Sequence, residues 1–298
     1  MKYLSLLLIM GVDSLCFIGI KLGLPHAPPL LFGAMRVSIG GIFLIALMFA
    51  TSSRLWPKST SLGWLALLGF VATAASTATM FLAAEHGSAG LASVLGNMQP
   101  ILTLVLALLV LHEKITPGKV WACILGVLGI ILISLPVFHS GGTGELQSAL
   151  FAIGSSSIVA IVNVIVKRVI PEEDLLPAVA WQLLMGCVPL FIVSRFTESW
   201  SRFHADAKFI SLLLVLGMVG TGFNTFAWYR LVKKEDVSFI SMFYFVVPII
   251  GILAGWIAFN ETLVLEQWLG MAVIASALVF LARESKMKRV LATPEAQA

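Results

Sequence analysis

Residues Gly87 to Thr116 read GSAGLASVLGNMQPILTLVLALLVLHEKIT, and 148 residues later Glu235 to Val264 read EDVSFISMFYFVVPIIGILAGWIAFNETLV. Laid one on the other, Pro100 falls on Pro248 and Glu113 on Glu261. Each proline stands about 11 residues into an apolar run long enough to cross a bilayer. A proline inside a helix removes one backbone bond and crowds the carbonyl four residues earlier. Those carbonyls belong to Gly96 and Tyr244. In lipid a freed carbonyl must find protein or cavity water. Two readings follow: a bent helix lining a wet cavity, or a packing kink that touches no ligand. Asn97 and Gln99 beside the first break, and Tyr244 before the second, are the cavity candidates.

The class of protein follows from composition. Of 298 residues, 59% are hydrophobic and 11% charged, with a mean hydropathy of +1.01. Soluble domains carry about 25% charged residues, so the chain is expected to be an all-α polytopic membrane protein. Leu4 to Gly23 has no small-residue cleavage site after it and is read as a retained first helix. Breaks of Pro, Gly and charge divide the chain into ten expected spans, roughly 4–24, 29–50, 63–84, 89–111, 118–138, 146–167, 175–194, 209–231, 237–259 and 266–283. Cys16, Cys123 and Cys187 lack metal-ligand spacing and read as small buried hydrophobes.

Charge gives the orientation. Fourteen of the 19 Lys and Arg residues fall in one set of loops and ends; Lys21, Arg195, Arg202 and Lys208 fall in the other, and Arg36 lies within the second span. The positive-inside rule then places both termini in the cytoplasm.

The repeat extends beyond the quoted stretch. The same 148-residue shift brings Gly69 onto Gly217, Thr73 onto Thr221 and Ser76 onto Asn224. A shift of 146 brings Lys21 onto Lys167 and Gly40 onto Gly186. The halves, 1–140 and 146–283, hold five spans each, and residues 284–298 are expected to be a disordered cytoplasmic tail. Because five is odd, the second half enters the membrane inverted. Inverted repeats of this kind build secondary transporters with a midplane site between the halves.

These features, with FIGIKLG (Phe17 to Gly23), AMRVSIGG (Ala34 to Gly41) and the acidic ends LHEKIT and FNETL, resemble the EamA-type members of the drug/metabolite transporter superfamily. The resemblance covers nearly the whole chain. It implies a bacterial inner-membrane exporter of small metabolites such as amino acids. One departure is the stretch MGVDSLCF, where such proteins often carry a Trp-Gly pair and this chain has Asp13.

Other polar residues within spans extend the candidate list. Asn163 and Gln182 are read as cavity residues, as are Asn224 and Trp228; Trp228 and Tyr229 also fit an interfacial aromatic belt. Ser76 and Thr77 fit either close helix packing or the site. Asp13 and Arg36 lie at similar depths, so Arg36 is the expected partner of Asp13. Their pairing reads either as a structural ion pair or as a coupling site in which Arg36 meets a substrate carboxylate or Asp13 takes a proton. Lys21, nearer the surface, can snorkel outward. Glu113 and Glu261 read as solvated charges at helix ends.

No Walker A sequence, metal-ligand cluster or paired intramembrane carboxylates occur in the sequence. The expectation is therefore a transporter without cofactor, metal or catalytic residues, whose partners are a small-molecule substrate and the lipid bilayer and not nucleic acid. A nucleotide-sugar or organophosphate exchanger is the alternative within transport. An intramembrane enzyme and a passive channel are the alternatives outside it.

Overall fold

The computed structural model describes residues 2–86, 98–138, 145–259 and 263–291. The described residues are helical and contain no strand. Among the described residues, nine helices are long and apolar enough to cross a membrane, and a shorter apolar helix covers Gln99–Leu109. In chain order the spans are 1 (Lys2–Gly23), 2 (Pro29–Ala50), 3 (Leu62–His86), 4 (Gln99–Leu109), 5 (Pro117–Phe138), 6 (Glu145–Val169), 7 (Leu175–Thr197), 8 (Ala207–Lys234), 9 (Val237–Phe259) and 10 (Leu265–Leu291). Their outer faces expose large apolar side chains such as Leu8, Phe49, Phe70, Leu109 and Ile257. Water does not tolerate an apolar surface that extensive, whereas lipid does. The chain is a multi-pass membrane protein.

The packing follows the inverted repeat, with span 1 matching span 6, span 2 matching span 7, and so on. Spans 2 and 7 lie side by side, as do spans 5 and 10. Span 7 packs on span 3 and, in the matching way, span 2 packs on span 8; span 4 packs on span 6 as span 9 packs on span 1. Glycines permit the closest crossings. A Cβ on Gly40 would stand 2.9 Å from the Gly217 carbonyl oxygen. A Cβ on the matching Gly186 would overlap the Gly69 carbonyl oxygen and Thr73. Likewise a Cβ on Gly217 would meet the Arg36 carbonyl at 3.0 Å, and one on Gly69 the Gln182 carbonyl at 3.1 Å.

Two irregularities recur in both halves. Spans 3 and 8 each contain a π-helical turn, at Gly69–Ala75 and Met218–Phe223. Such turns break the i to i−4 ladder and gather at functional sites. Span 9 is helical over Val237–Ser241, tightens into a 3-10 turn at Met242–Phe245, and resumes at Val246–Phe259 around Pro248. The Ser14 hydroxyl donates to the Val247 carbonyl at 2.9 Å, which ties span 1 to the break. Pro100 stands in the first turn of the helix Gln99–Leu109. Asn97 and Gly96, on the other side of that break, lie outside the described residues, as does Glu261.

Carboxylates of one half bind backbone N–H groups of the other, capping spans 9 and 2 and holding the loop before span 3. Glu113 accepts from the backbone N–H of Val237 (2.7 Å) and Ser238 (3.0 Å). Glu198 does the same for Leu30 (2.7 Å) and Leu31 (3.0 Å). Asp174 accepts from the N–H groups of Lys58, Ser59 and Thr60 at 2.7–2.8 Å. Glu113 is thus a cap on span 9 and not simply a solvated charge. It satisfies donors that every helix start leaves open and lies where the helix dipole favours an anion. Span 10 continues to Leu291, eight residues past the end that hydropathy gives it. The run Glu284–Leu291 is polar but rich in good helix formers.

Candidate functional site

Spans from both halves line a cavity of about 180 Å³ between them. Span 1 contributes Asp13 to its wall, span 2 Arg36, span 3 Thr73 and Ser76, and span 6 Asn163. Gln182 on span 7, Asn224, Trp228 and Tyr229 on span 8, and Tyr244 on span 9 also line it. A second chamber of about 140 Å³ shares Asp13, Ser76, Met80, Val159 and Tyr244 with the first and reaches Gln99 on span 4.

The polar side chains are held by hydrogen bonds, some of them across the repeat boundary. Arg36 Nε donates to Thr221 Oγ1 at 2.7 Å, and its Nη2 to the Gly220 carbonyl at 3.3 Å. Thr221 itself donates to the Leu216 carbonyl, five residues back through the π-turn, at 3.1 Å. Gln182, which stands 146 residues after Arg36, donates Nε2 to Thr73 Oγ1 (3.4 Å) and to the Tyr229 hydroxyl (3.1 Å). The two π-turns therefore present matched threonines to matched positions on spans 2 and 7. A buried donor needs such a partner, because leaving it unmet costs about 1–3 kcal/mol.

Asn224 Nδ2 donates to Asp13 Oδ1 at 2.7 Å, and Trp228 Nε1 donates to Asn163 Oδ1 at 2.9 Å. The Tyr244 ring meets that of Trp228 edge-on, with centroids 4.9 Å apart. Trp228 is only 4% exposed, so it belongs to the cavity wall and not to an interfacial belt; Tyr229 is buried beside it.

Of the residues singled out in the sequence, Gln99, Asn163, Gln182, Asn224, Trp228, Tyr244, Asp13 and Arg36 all line one chamber or the other. Asn97 lies outside the described residues. Lys21 stands apart. Its Nζ donates to the Ala84 carbonyl at 3.4 Å and it lines a separate pocket with Glu85 and Arg202. The expected direct pairing of Asp13 with Arg36 is corrected. The ion pairs within 4 Å among the described residues do not include it, and each charge is held by a neutral partner on span 8. Depth along two helices sets height only, and the direction of each side chain around its helix decides the contact.

Thr73, Thr221 and Tyr229 were not picked out as site residues. For the threonines a signal existed, since they coincide under the 148-residue shift. A threonine repeated at one depth in both halves marks a side chain that the fold needs twice.

Comparison with known proteins is consistent along the whole chain. The EamA-like transporter family matches residues 1–135 and again 146–283. The chain is 30% identical over 277 residues to the Uncharacterized transporter YvbV of Bacillus subtilis, covering 91% of this chain and 88% of that one. It is 25% identical to a Probable amino-acid metabolite efflux pump of Salmonella typhimurium, with 91% of each chain covered. A solved crystal structure among those that match shares the fold, with a TM-score of 0.78 at 17% identity over 97% of both chains. Spans, inverted packing and sequence agree: the chain is a membrane transport protein and belongs to the EamA-like transporter family.

Proposed function

We propose that the chain is a secondary carrier that exports small polar metabolites, amino acids among them, by alternating access. The observation that carries this reading is the central cavity, walled by both halves and framed by the matched Arg36–Thr221 and Gln182–Thr73 contacts. Two related halves in opposite orientations can exchange roles, so a site at their junction opens first to one side and then to the other. The functional halves in this proposal are 1–140 and 146–283, with residues 284–298 in the cytoplasm. The polar wall residues bind substrate, Pro100 and Pro248 give spans 4 and 9 their bend, and Asp13 and Arg36 bind charge or take part in proton coupling. The efflux-pump name of the Salmonella relative supports the outward direction.

The proposed location is a bacterial inner membrane with both termini inside. An organophosphate exchanger is the weaker reading. Holding a phosphate calls for several cations, and among the described residues lining the two central chambers Arg36 is the one cation. Two measurements test the proposal. Cells with the protein should enrich specific metabolites in the medium relative to cells without it; identical media would remove the export reading. Reporters fused after Lys58, Lys114 and Arg289 should read cytoplasm, and one after His204 the opposite side. A cytoplasmic reading at His204 would overturn the orientation.

A further inference from the structure

The central cavity contains two opposite charges that do not pair and several donors without acceptors. Arg36 is 6% exposed. Its Nε and Nη2 are fixed on Thr221 and Gly220, which leaves Nη1 buried without a hydrogen-bond partner. Asn163, fully buried on the same wall, accepts from Trp228 through Oδ1, which fixes its amide and leaves Nδ2 without a partner. Facing the same space is Asp13, with Oδ1 held by Asn224. Opposite buried charges held apart from direct contact are costly, and so is an unmet buried donor. Evolutionary tolerance of either is easiest to understand where a ligand supplies the missing group.

The second chamber adds a different chemistry. Asp13, Ser76 and Tyr244 stand at its junction with the first chamber, and Phe17, Ala83 and Val247 give it apolar wall. Gln99 reaches it with a buried Nε2 that also lacks a partner. Among the described residues lining this chamber, Asp13 is the only charged one. Such a lining, with Ser155 and Ser156 as its further polar residues, suits an uncharged group that offers one acceptor to Gln99.

Resting on the carrier reading above, we propose that this cavity is a zwitterion site: Arg36 Nη1 and Asn163 Nδ2 receive a ligand carboxylate, Asp13 receives its protonated amine, and an uncharged side group fills the chamber toward Gln99. The ligand is then neutral overall and has a fixed orientation, with its anionic end on span 2 and its cationic end on span 1. Arginine suits the first role because its planar donors match a carboxylate. A ligand with a second charge has no described partner for it in the side chamber.

The test uses the full-length protein in lipid nanodiscs with radiolabelled L-leucine, followed by the other neutral L-amino acids, as probes. Competitors are leucinamide, which lacks the carboxylate, 4-methylpentanoate, which lacks the amine, and L-lysine and L-glutamate, which carry an extra charge. The expected result is that at least one neutral amino acid binds. Its amide, its deaminated acid and the amino acids with a charged side chain should each compete at least tenfold less well. Arg36→Gln should abolish the preference for the acid over the amide, and Asp13→Asn the preference over the deaminated acid. Asn163→Ala should weaken carboxylate discrimination several-fold without changing charge. If a variant fails to fold, the competitor series on the unaltered protein still decides. Equal competition by amino acid and amide would overturn the proposal, and so would failure of every neutral amino acid to bind. Export of some other solute in that case would leave the carrier reading standing. Binding without any export would instead remove the carrier reading and keep the site.

Discussion

Where span 2 crosses span 8, Arg36 donates to Thr221 over a glycine contact between Gly40 and Gly217. Where span 7 crosses span 3, Gln182 donates to Thr73 over a glycine contact between Gly186 and Gly69. The glycines, the threonines and the π-turns are common to both crossings. What differs is the residue facing the cavity: a guanidinium in the first half and a neutral amide in the second. The same holds for span 1 against span 6, where Asp13 corresponds to Val159 under the 146-residue shift. Both side chains line the cavity. Both cavity charges described thus come from one half. Close crossings are a requirement of the bilayer fold and must be met twice. A ligand is a single, asymmetric object, and nothing obliges both walls to meet it with the same groups.

The comparison can be broken most severely at the shared frame. Gly40→Leu and Gly186→Leu each drive a large side chain into backbone of the opposing helix. Overpacking costs about 1–3 kcal/mol in ordinary cores, occasionally more, and these sites, where backbone gives way least, belong at the upper end. Both variants are expected to lose most of the monodisperse protein recovered from the membrane, and to similar extents. A severe loss in one and none in the other would mean the two crossings are not equivalent.

A smaller effect separates the halves. Thr221→Val leaves Arg36 Nε without its 2.7 Å acceptor, whereas Thr73→Val removes a 3.4 Å neutral contact from a Gln182 that still reaches Tyr229. Thermal unfolding in detergent should show Thr221→Val destabilised by about 1–3 kcal/mol and Thr73→Val by about 0.5–1 kcal/mol. The reverse order would remove the charge asymmetry from the account. Smaller again in stability, but visible in transport, are Gln99→Leu and Tyr244→Leu. Each should lower efflux several-fold at matched amounts of folded protein. Normal efflux in both would place the second chamber outside the transport path.

Much of this frame was legible in the sequence, because length and hydropathy determine what can cross a bilayer. Apart from span 4, whose expected first residues lie outside the described ones, the spans appear within a few residues of their expected limits, except that span 10 carries a polar extension with no hydropathy signal. The repeat was legible because Pro100 and Pro248, and Thr73 and Thr221, are the rare residues of an otherwise monotonous composition. The π-turns were not. GFVATAA and MVGTGF contain no breaker that distinguishes a π-turn from ordinary helix. A place in the cavity wall followed from polarity at mid-membrane depth, since such residues need a wet or protein partner. Partnership did not. Asp13 and Arg36 share a depth yet each bonds to span 8, and Trp228 could be assigned to the wall only once its burial was known.

The central claim is that one matched pair of positions carries the frame on both sides and the ligand charge on one. It is tested most directly by measuring export of the metabolites that the unaltered protein enriches in the medium, comparing Arg36→Gln with Gln182→Leu at matched levels of folded protein. Loss of a hydrogen bond to a charged group is worth about 1.5–3 kcal/mol and that of a neutral one about 0.5–1.5 kcal/mol. Arg36→Gln, which makes the two crossings alike, should therefore reduce export by roughly 10–100-fold, and Gln182→Leu by less than about tenfold. Equal losses in the two variants, or export by Arg36→Gln at the level of the unaltered protein, would contradict the account.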